Sequence, residues 1–136
     1  MAGSSATPLV QKLGIEDGHR VALLGAPPKL TDLLGALPAG VTVHARLAGK
    51  TSFDVVIAFV VERSALAGRI AAVRPRMTPA AGLWIAWPKR ASGIATDMTG
   101  DVVRSVALPT GLVDNKVCAI DETWSGLRLV IRRELR

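Results

Sequence analysis

The sequence predicts a three-layer α/β/α domain whose sheet is mostly parallel and closes in a C-terminal antiparallel hairpin. Three observations carry that expectation. Strand-like and helix-like segments alternate through the first two thirds of the chain, the order of a parallel sheet with crossover helices. Residues 53–61, FDVVIAFVV, are apolar at nearly every position rather than at alternate ones, as a strand buried on both faces requires. Near the C-terminus, residues 116–121 and 127–133 read as two strands joined by Glu122-Thr123-Trp124-Ser125-Gly126, a link short enough for an antiparallel hairpin.

In chain order, residues 1–6 read as a flexible terminus and 7–136 as a single domain. Thr7-Pro8 fits an N-cap and first helical position, Leu9, Val10 and Leu13 follow at helical spacing, and Gly14 stops that helix with Ile15 able to pack back. Glu16-Asp17-Gly18 turns into a strand from Arg20, whose Val21, Ala22, Leu23 and Leu24 read as buried. Leu30, Leu33, Leu34 and Leu37 predict a short amphipathic helix from about Lys29 to just before Pro38. Residues 41–47 alternate Val41, Val43 and Ala45 with Thr42, His44 and Arg46, a half-exposed edge strand. Only a short loop separates it from the run at 53, and a parallel crossover normally takes a dozen residues or more. Either the edge strand is brief and the loop runs beneath the sheet, or that strand is antiparallel; the first is favoured.

Leu66, Ile70 and Val73, with Ala65 and Ala72, form a helix face that ends at Arg74-Pro75. Residues 79–82 turn into the strand 83–87, which Pro88 terminates. Met98, Val102, Val103 and Val106 mark a further helix behind a Thr or Asp cap, closed by Pro109 and Gly111.

Composition narrows the function classes. At 136 residues and 49% hydrophobic content the chain can bury a real core. Its apolar runs are far below the roughly 20 residues of a membrane span, and its start has no signal-peptide pattern, so a cytoplasmic protein without a membrane partner is expected. The single cysteine, Cys118, permits no internal disulfide, and with two separated histidines it makes no metal-ligand spacing. A net charge of +6 and a pI near 10.5 suit a polyanion. The cations are scattered from Lys12 to Arg136 and no tyrosine offers a stacking platform, so any nucleic-acid binding should be weak, sequence-independent and lost in salt.

Ligands of open α/β sheets bind beyond the carboxyl ends of the parallel strands. There the chain places the turn Gly25-Ala26-Pro27-Pro28, then Val61-Glu62-Arg63, then Lys89, Arg90 and Ser92, and a hairpin tip with Asp121, Glu122 and Trp124. Lys89, Arg90 and Ser92 could receive an anion, Asp121 or Glu122 could act as acid or base, and Trp124 could form an apolar wall. The alternative is a solvated loop, turn contacts and an indole packed on the sheet edge. A nucleotide cradle needs G-x-G-x-x-G, whose backbone N–H groups hold phosphates; here two prolines remove two of those donors. No cofactor, metal or catalytic residue is expected, and no Ser-His-Asp or Cys-His order is apparent.

The order of these segments resembles a shortened class I S-adenosylmethionine-dependent methyltransferase core, a Rossmann-like fold. Only Gly25 of that family's glycine-rich loop is present. The second strand ends His44-Ala45-Arg46-Leu47 where the family has an acid for the ribose hydroxyls, and a strand and helix are missing before Asp54, which itself matches. More closely, LGAP at 24–27, LWIAWPK at 83–89 and LVDNKVCAIDETWSGLRLV at 112–130 resemble a family of small actinobacterial proteins classed as a domain of unknown function. Together these imply a Rossmann-like, non-catalytic binding or regulatory module for a small anionic or zwitterionic ligand or a protein partner. The alternatives are a methyltransferase with a non-standard pocket and weak nucleic-acid binding. Oligomeric state is not implied.

Overall fold

The computed structural model describes residues 7–47 and 49–136; the flexible terminus expected at 1–6 lies outside them. Helix α1 spans Leu9–Lys12, and strand β1 Arg20–Leu24 follows it. Then come α2 Leu30–Leu34, β2 Thr42–His44, β3 Phe53–Phe59, α3 Arg63–Val73 and β4 Met77–Pro88. Helix α4 Gly100–Ala107 leads to the hairpin of β5 Leu112–Ala119 and β6 Trp124–Ile131. The strands form one six-stranded sheet in the order β2-β1-β3-β4-β6-β5. β2, β1, β3 and β4 are mutually parallel, and β6 runs antiparallel to both its neighbours.

Because successive strand residues point to opposite faces, the sheet sorts its apolar side chains into two cores. Ala22, Leu24, Val56, Ala58, Leu83 and Ile85 meet Leu66 and Ile70 of α3 and Val103 of α4. Val21, Leu23, Val55, Ile57 and Trp84 meet Val10 and Leu13 of α1 and Leu30 and Leu34 of α2. β3 is buried almost throughout, as its unbroken apolar run requires.

The start of the chain follows its predicted logic closely. Gly14 (φ +78°) closes α1 with two bonds, Gly14 N–H to the Gln11 carbonyl and Ile15 N–H to that of Val10, and Ile15 packs into the core. Pro8 rather than Thr7 sits at the capping position, without a side-chain bond. Helix α4 has the expected threonine cap: Thr99 Oγ1 accepts from Val102 N–H at 3.1 Å.

Several boundaries differ from expectation. Gly35 (φ +67°) ends α2 before Leu37, which is left exposed, and Leu33 within α2 faces outward. On α3 the buried stripe is Leu66, Ile70 and Val73, while Ala65 and Ala72 face outward. β2 is three residues long rather than seven, and Val43 is exposed because, among the described residues, no strand pairs with the far side of β2. It is parallel, and its brevity makes that possible: three residues span only about 10 Å, which the short link to β3 can climb. That link lies on the α3 and α4 face with Leu47 packed on the core there. Arg76 binds it, donating to the carbonyls of Thr51 (2.6 Å) and Leu47 (3.0 Å) over the ring of Phe53.

β4 begins at Met77, so the expected turn at 79–82 is instead a bulge in which residues 78–81 stand opposite Asp54 alone. Both hairpin strands start and end earlier than expected. The loop tightens to residues 120–123, and Trp124 opens β6.

Arg104 of α4 donates to Asp114 of β5 at 2.9 Å and pairs with Asp101, also at 2.9 Å. The hydrogen bond from Arg104 holds the Asp114 carboxyl below its ordinary value against some desolvation. A depressed carboxyl contributes stability that is present at neutral pH and lost as pH falls through its folded value. Asp114→Asn should therefore lower the melting temperature slightly at pH 7, the gap to the parent closing as the carboxylate protonates. A gap that stays constant down to pH 2 in melts across the acid range would contradict this.

Candidate functional site

From β1 the chain crosses to β2 on one side and later to β3 on the other, so the carboxyl ends of β1 and β3 form the switch point where such sheets open a crevice. Gly25 stands there with φ +67°. A Cβ on it would sit 3.3 Å from the Phe59 carbonyl oxygen, so the glycine serves to bring the turn against the end of β3. Beside the turn is a cavity of about 460 Å³ bounded by Gly25, Ala26, Pro27, Thr31, Val43 and His44. Pro27 and Pro28 give it no N–H, and no carboxylate lines it.

The hairpin tip lies on the same edge, at the ends of β3 and β4. Asp121 Oδ1 accepts from the N–H groups of Thr123 and Trp124, both at 2.8 Å, which folds the loop into a compact Asx-type turn. Its other oxygen, Oδ2, is buried and has no hydrogen-bond partner among the described residues. Lys29 Nζ lies 3.6 Å from Glu122, tying the β1–α2 turn to the tip. Lys89 N–H donates to the Thr123 carbonyl at 2.7 Å, so the end of β4 and the tip are held together. The indole of Trp124 packs edge-on to Phe59, ring centres 5.0 Å apart, and forms a wall between the tip and the end of β3.

The expected site residues thus divide. Gly25, Ala26 and Pro27 line the cavity at the turn, whereas Lys89, Asp121, Glu122 and Trp124 do not border it and gather instead at the tip and the ends of β3 and β4. Ser92 is engaged locally, its hydroxyl donating to the Lys89 carbonyl and accepting from Ile94 N–H. Arg90 borders a different cavity, of about 470 Å³, with Trp87, Ile94, Asp97 and Met98. Between β3 and β4 the edge is closed. Asp97 Oδ1 accepts from Arg63 N–H (2.7 Å) at the start of α3, and the Thr96 hydroxyl donates to the Val61 carbonyl. Asp97 is a helix cap supplied from about thirty residues away, which no local signal reveals. Sequence reasoning also missed Val43, whose place in the cavity comes only from the pairing of β1 with β2, and Thr31, which α2 brings there.

Asp54 lies at the opposite, amino edge. One oxygen accepts from Arg20 N–H (2.8 Å) and the other from the Thr78 hydroxyl (3.4 Å), so it anchors the start of β1 and the β4 bulge. Burial pushes the Cys118 thiol up, away from a reactive thiolate. Among the described residues no three His, Cys, Asp or Glu side chains gather in a metal-binding group, and no helix is long and apolar enough to cross a membrane.

Strand order, switch point and antiparallel close define a Rossmann-like α/β fold of the methyltransferase type. The chain is similar in structure to a SAM-dependent methyltransferase from Aquifex aeolicus, with TM-score 0.60 and 12% identity over 90% of this chain and 88% of that one. A SAM-dependent methyltransferase from Corynebacterium glutamicum aligns at TM-score 0.56 and 11% identity, covering 91% and 85%. Magnesium protoporphyrin IX methyltransferase from Synechocystis, solved with bound SAM, aligns at TM-score 0.56 and 10% identity, covering 90% and 74%. Identities this low speak for the fold alone. No protein-family model matches the chain, and no curated protein matches it.

The residues at the switch point do not fit that cofactor in the usual way. β2 ends in His44-Ala45-Arg46 without an acid for ribose hydroxyls, Pro27 and Pro28 cannot donate, and Gly25 is pressed against the Phe59 carbonyl.

Proposed function

We propose that this chain is a non-catalytic binding module on a methyltransferase-type fold, taking a small anionic or zwitterionic ligand at the carboxyl edge between the Gly25 turn and the hairpin tip. The observation that carries the reading is the cavity at the ends of β1 and β2, beside the switch point on the carboxyl edge, which has neither carboxylate nor proline-free turn for a nucleoside cofactor. Lys29, paired with Glu122, and Lys89 lie on the tip side of the turn, where they and Trp124 on Phe59 would supply charge and an apolar wall to a ligand that extends from the cavity toward the tip. The likeness of residues 24–27, 83–89 and 112–130 to a small actinobacterial family without assigned activity fits a module of this kind. Nucleic-acid binding through the dispersed cations is proposed to be weak and salt-sensitive.

The fold neighbours favour a second reading, a SAM-dependent methyltransferase with a non-standard pocket. Titration calorimetry separates the two. The binding-module reading expects no micromolar heat signal with S-adenosylmethionine, and micromolar affinity would replace it with the second. In a thermal-shift screen of small anions and zwitterions, a ligand at about 100 times its dissociation constant stabilises the native state by about 2.7 kcal/mol. Lys89→Ala and Trp124→Ala should each abolish that shift with the fold intact. A shift that survives both would move the ligand elsewhere.

A further inference from the structure

At the amino edge of the sheet, on the face covered by α1, a separate cavity of about 270 Å³ is bounded by Gly14, Glu16, His19, Asp54, Thr78 and Arg128. Arg128 is part-buried on β6, directly opposite Trp84 of β4, and its guanidinium lies flat against Gly82. A Cβ at Gly82 would fall 2.5 Å from Arg128 Nε and 2.9 Å from Cζ, so only glycine leaves room for the fork in this position. Asp114 answers Arg104 and the carbonyls of the β2–β3 link answer Arg76, but among the described residues no hydrogen bond or ion pair answers Arg128. Burial, and then the charge of Arg136, push its pKa down, as for a cation lacking a counter-charge.

The acids nearby do not fill that role. Asp54 is engaged by Arg20 N–H and Thr78, and Glu16, exposed at the rim, does not reach the guanidinium. His19 Nδ1 accepts from Glu16 N–H at 3.1 Å, so in the neutral ring the proton sits on Nε2, leaving a further donor. Half-buried guanidinium, histidine donor and small cavity together form an incomplete ion pair. We propose that this cavity is a second binding site, for the carboxylate group of a small molecule, with Arg128 as the two-pronged donor and His19 beside it. A carboxylate is favoured over phosphate because its single charge meets less repulsion from Asp54 and Glu16, and its two oxygens match the guanidinium fork. The site is independent of the one at the carboxyl edge.

The test follows the Arg128 Nε–H resonance by NMR while sodium acetate is added, with sodium chloride at matched ionic strength as control and inorganic phosphate as a second arm. Acetate should give a saturable shift at Arg128 that chloride does not. Gly82→Ala, which keeps every charge but displaces the fork, and Arg128→Met, which keeps the apolar stem, should each weaken acetate binding about tenfold or more. For Arg128→Met the histidine resonances report the binding. A linear response identical in acetate and chloride would overturn the proposal, as would unchanged affinity in folded Gly82→Ala. Phosphate saturating at lower concentration than acetate would overturn the carboxylate assignment. If either variant fails to fold, the parent titration alone decides.

Discussion

Trp84→Ala should lower the melting temperature by roughly 10–25 °C, from a loss of about 3–5 kcal/mol at about 3–5 °C per kcal/mol for a chain of this size. Trp84 is the largest fully buried side chain, standing in β4 where the sheet changes from parallel to antiparallel pairing. Its indole N–H donates to the Leu13 carbonyl at 3.0 Å, so the ring also fastens the end of α1 to the sheet. Diagonal to it on β6, Gly126 leaves space for the ring: a Cβ there would lie 3.1 Å from it. Trp84→Phe keeps most of the volume but leaves a buried carbonyl unpaired, costing about 1–3 kcal/mol. Melts of the two variants check the ranking, and Phe as damaging as Ala would mean that the hydrogen bond, not the packing, holds this layer.

Gly25→Val should cost about 2–4 kcal/mol, combining about 1–2 kcal/mol for a side chain at positive φ with the close approach to Phe59. Gly14→Val is the control, because Gly14 has nearly the same positive φ but open space where its Cβ would go, so only the backbone term of about 1–2 kcal/mol applies. Urea denaturation of the pair measures the difference. Equal losses would show that the turn is not pressed against the end of β3, and would reopen the crevice to a larger ligand than proposed here.

Much of this architecture was legible because hydrophobic periodicity is a local property. The unbroken run at 53–59 marked a strand buried on both faces, and the 66, 70, 73 spacing marked the buried stripe of α3. Boundaries were less legible where tertiary pairing overrode local signals. Leu37 continues the helical spacing, yet Gly35 turns the chain before the helix reaches it. Val41, Val43 and Ala45 alternate like a strand, but only three residues find hydrogen-bond partners beside β1.

The candidate site divides along the same line. The Gly25-Ala26-Pro27-Pro28 turn, its place after a buried strand and its lack of N–H donors follow from residue chemistry alone, because proline and glycine constrain the backbone wherever they stand. What gathers beside the turn, at the ends of β3 and β4, was decided by the fold: β6 pairs with β4, carrying Trp124 onto Phe59 and Thr123 onto Lys89, contacts between segments more than thirty residues apart. Asp54 shows the converse, a carboxylate that matched a functional pattern in sequence and was assigned to the anchoring of β1 by sheet register. The sequence by itself determined the elements, the central strand and the chemistry of the turn, since these depend on near neighbours. Only the tertiary structure decided the parallel course of β2, the distant cap on α3 and the unanswered charge of Arg128, because each depends on which strands and loops lie side by side.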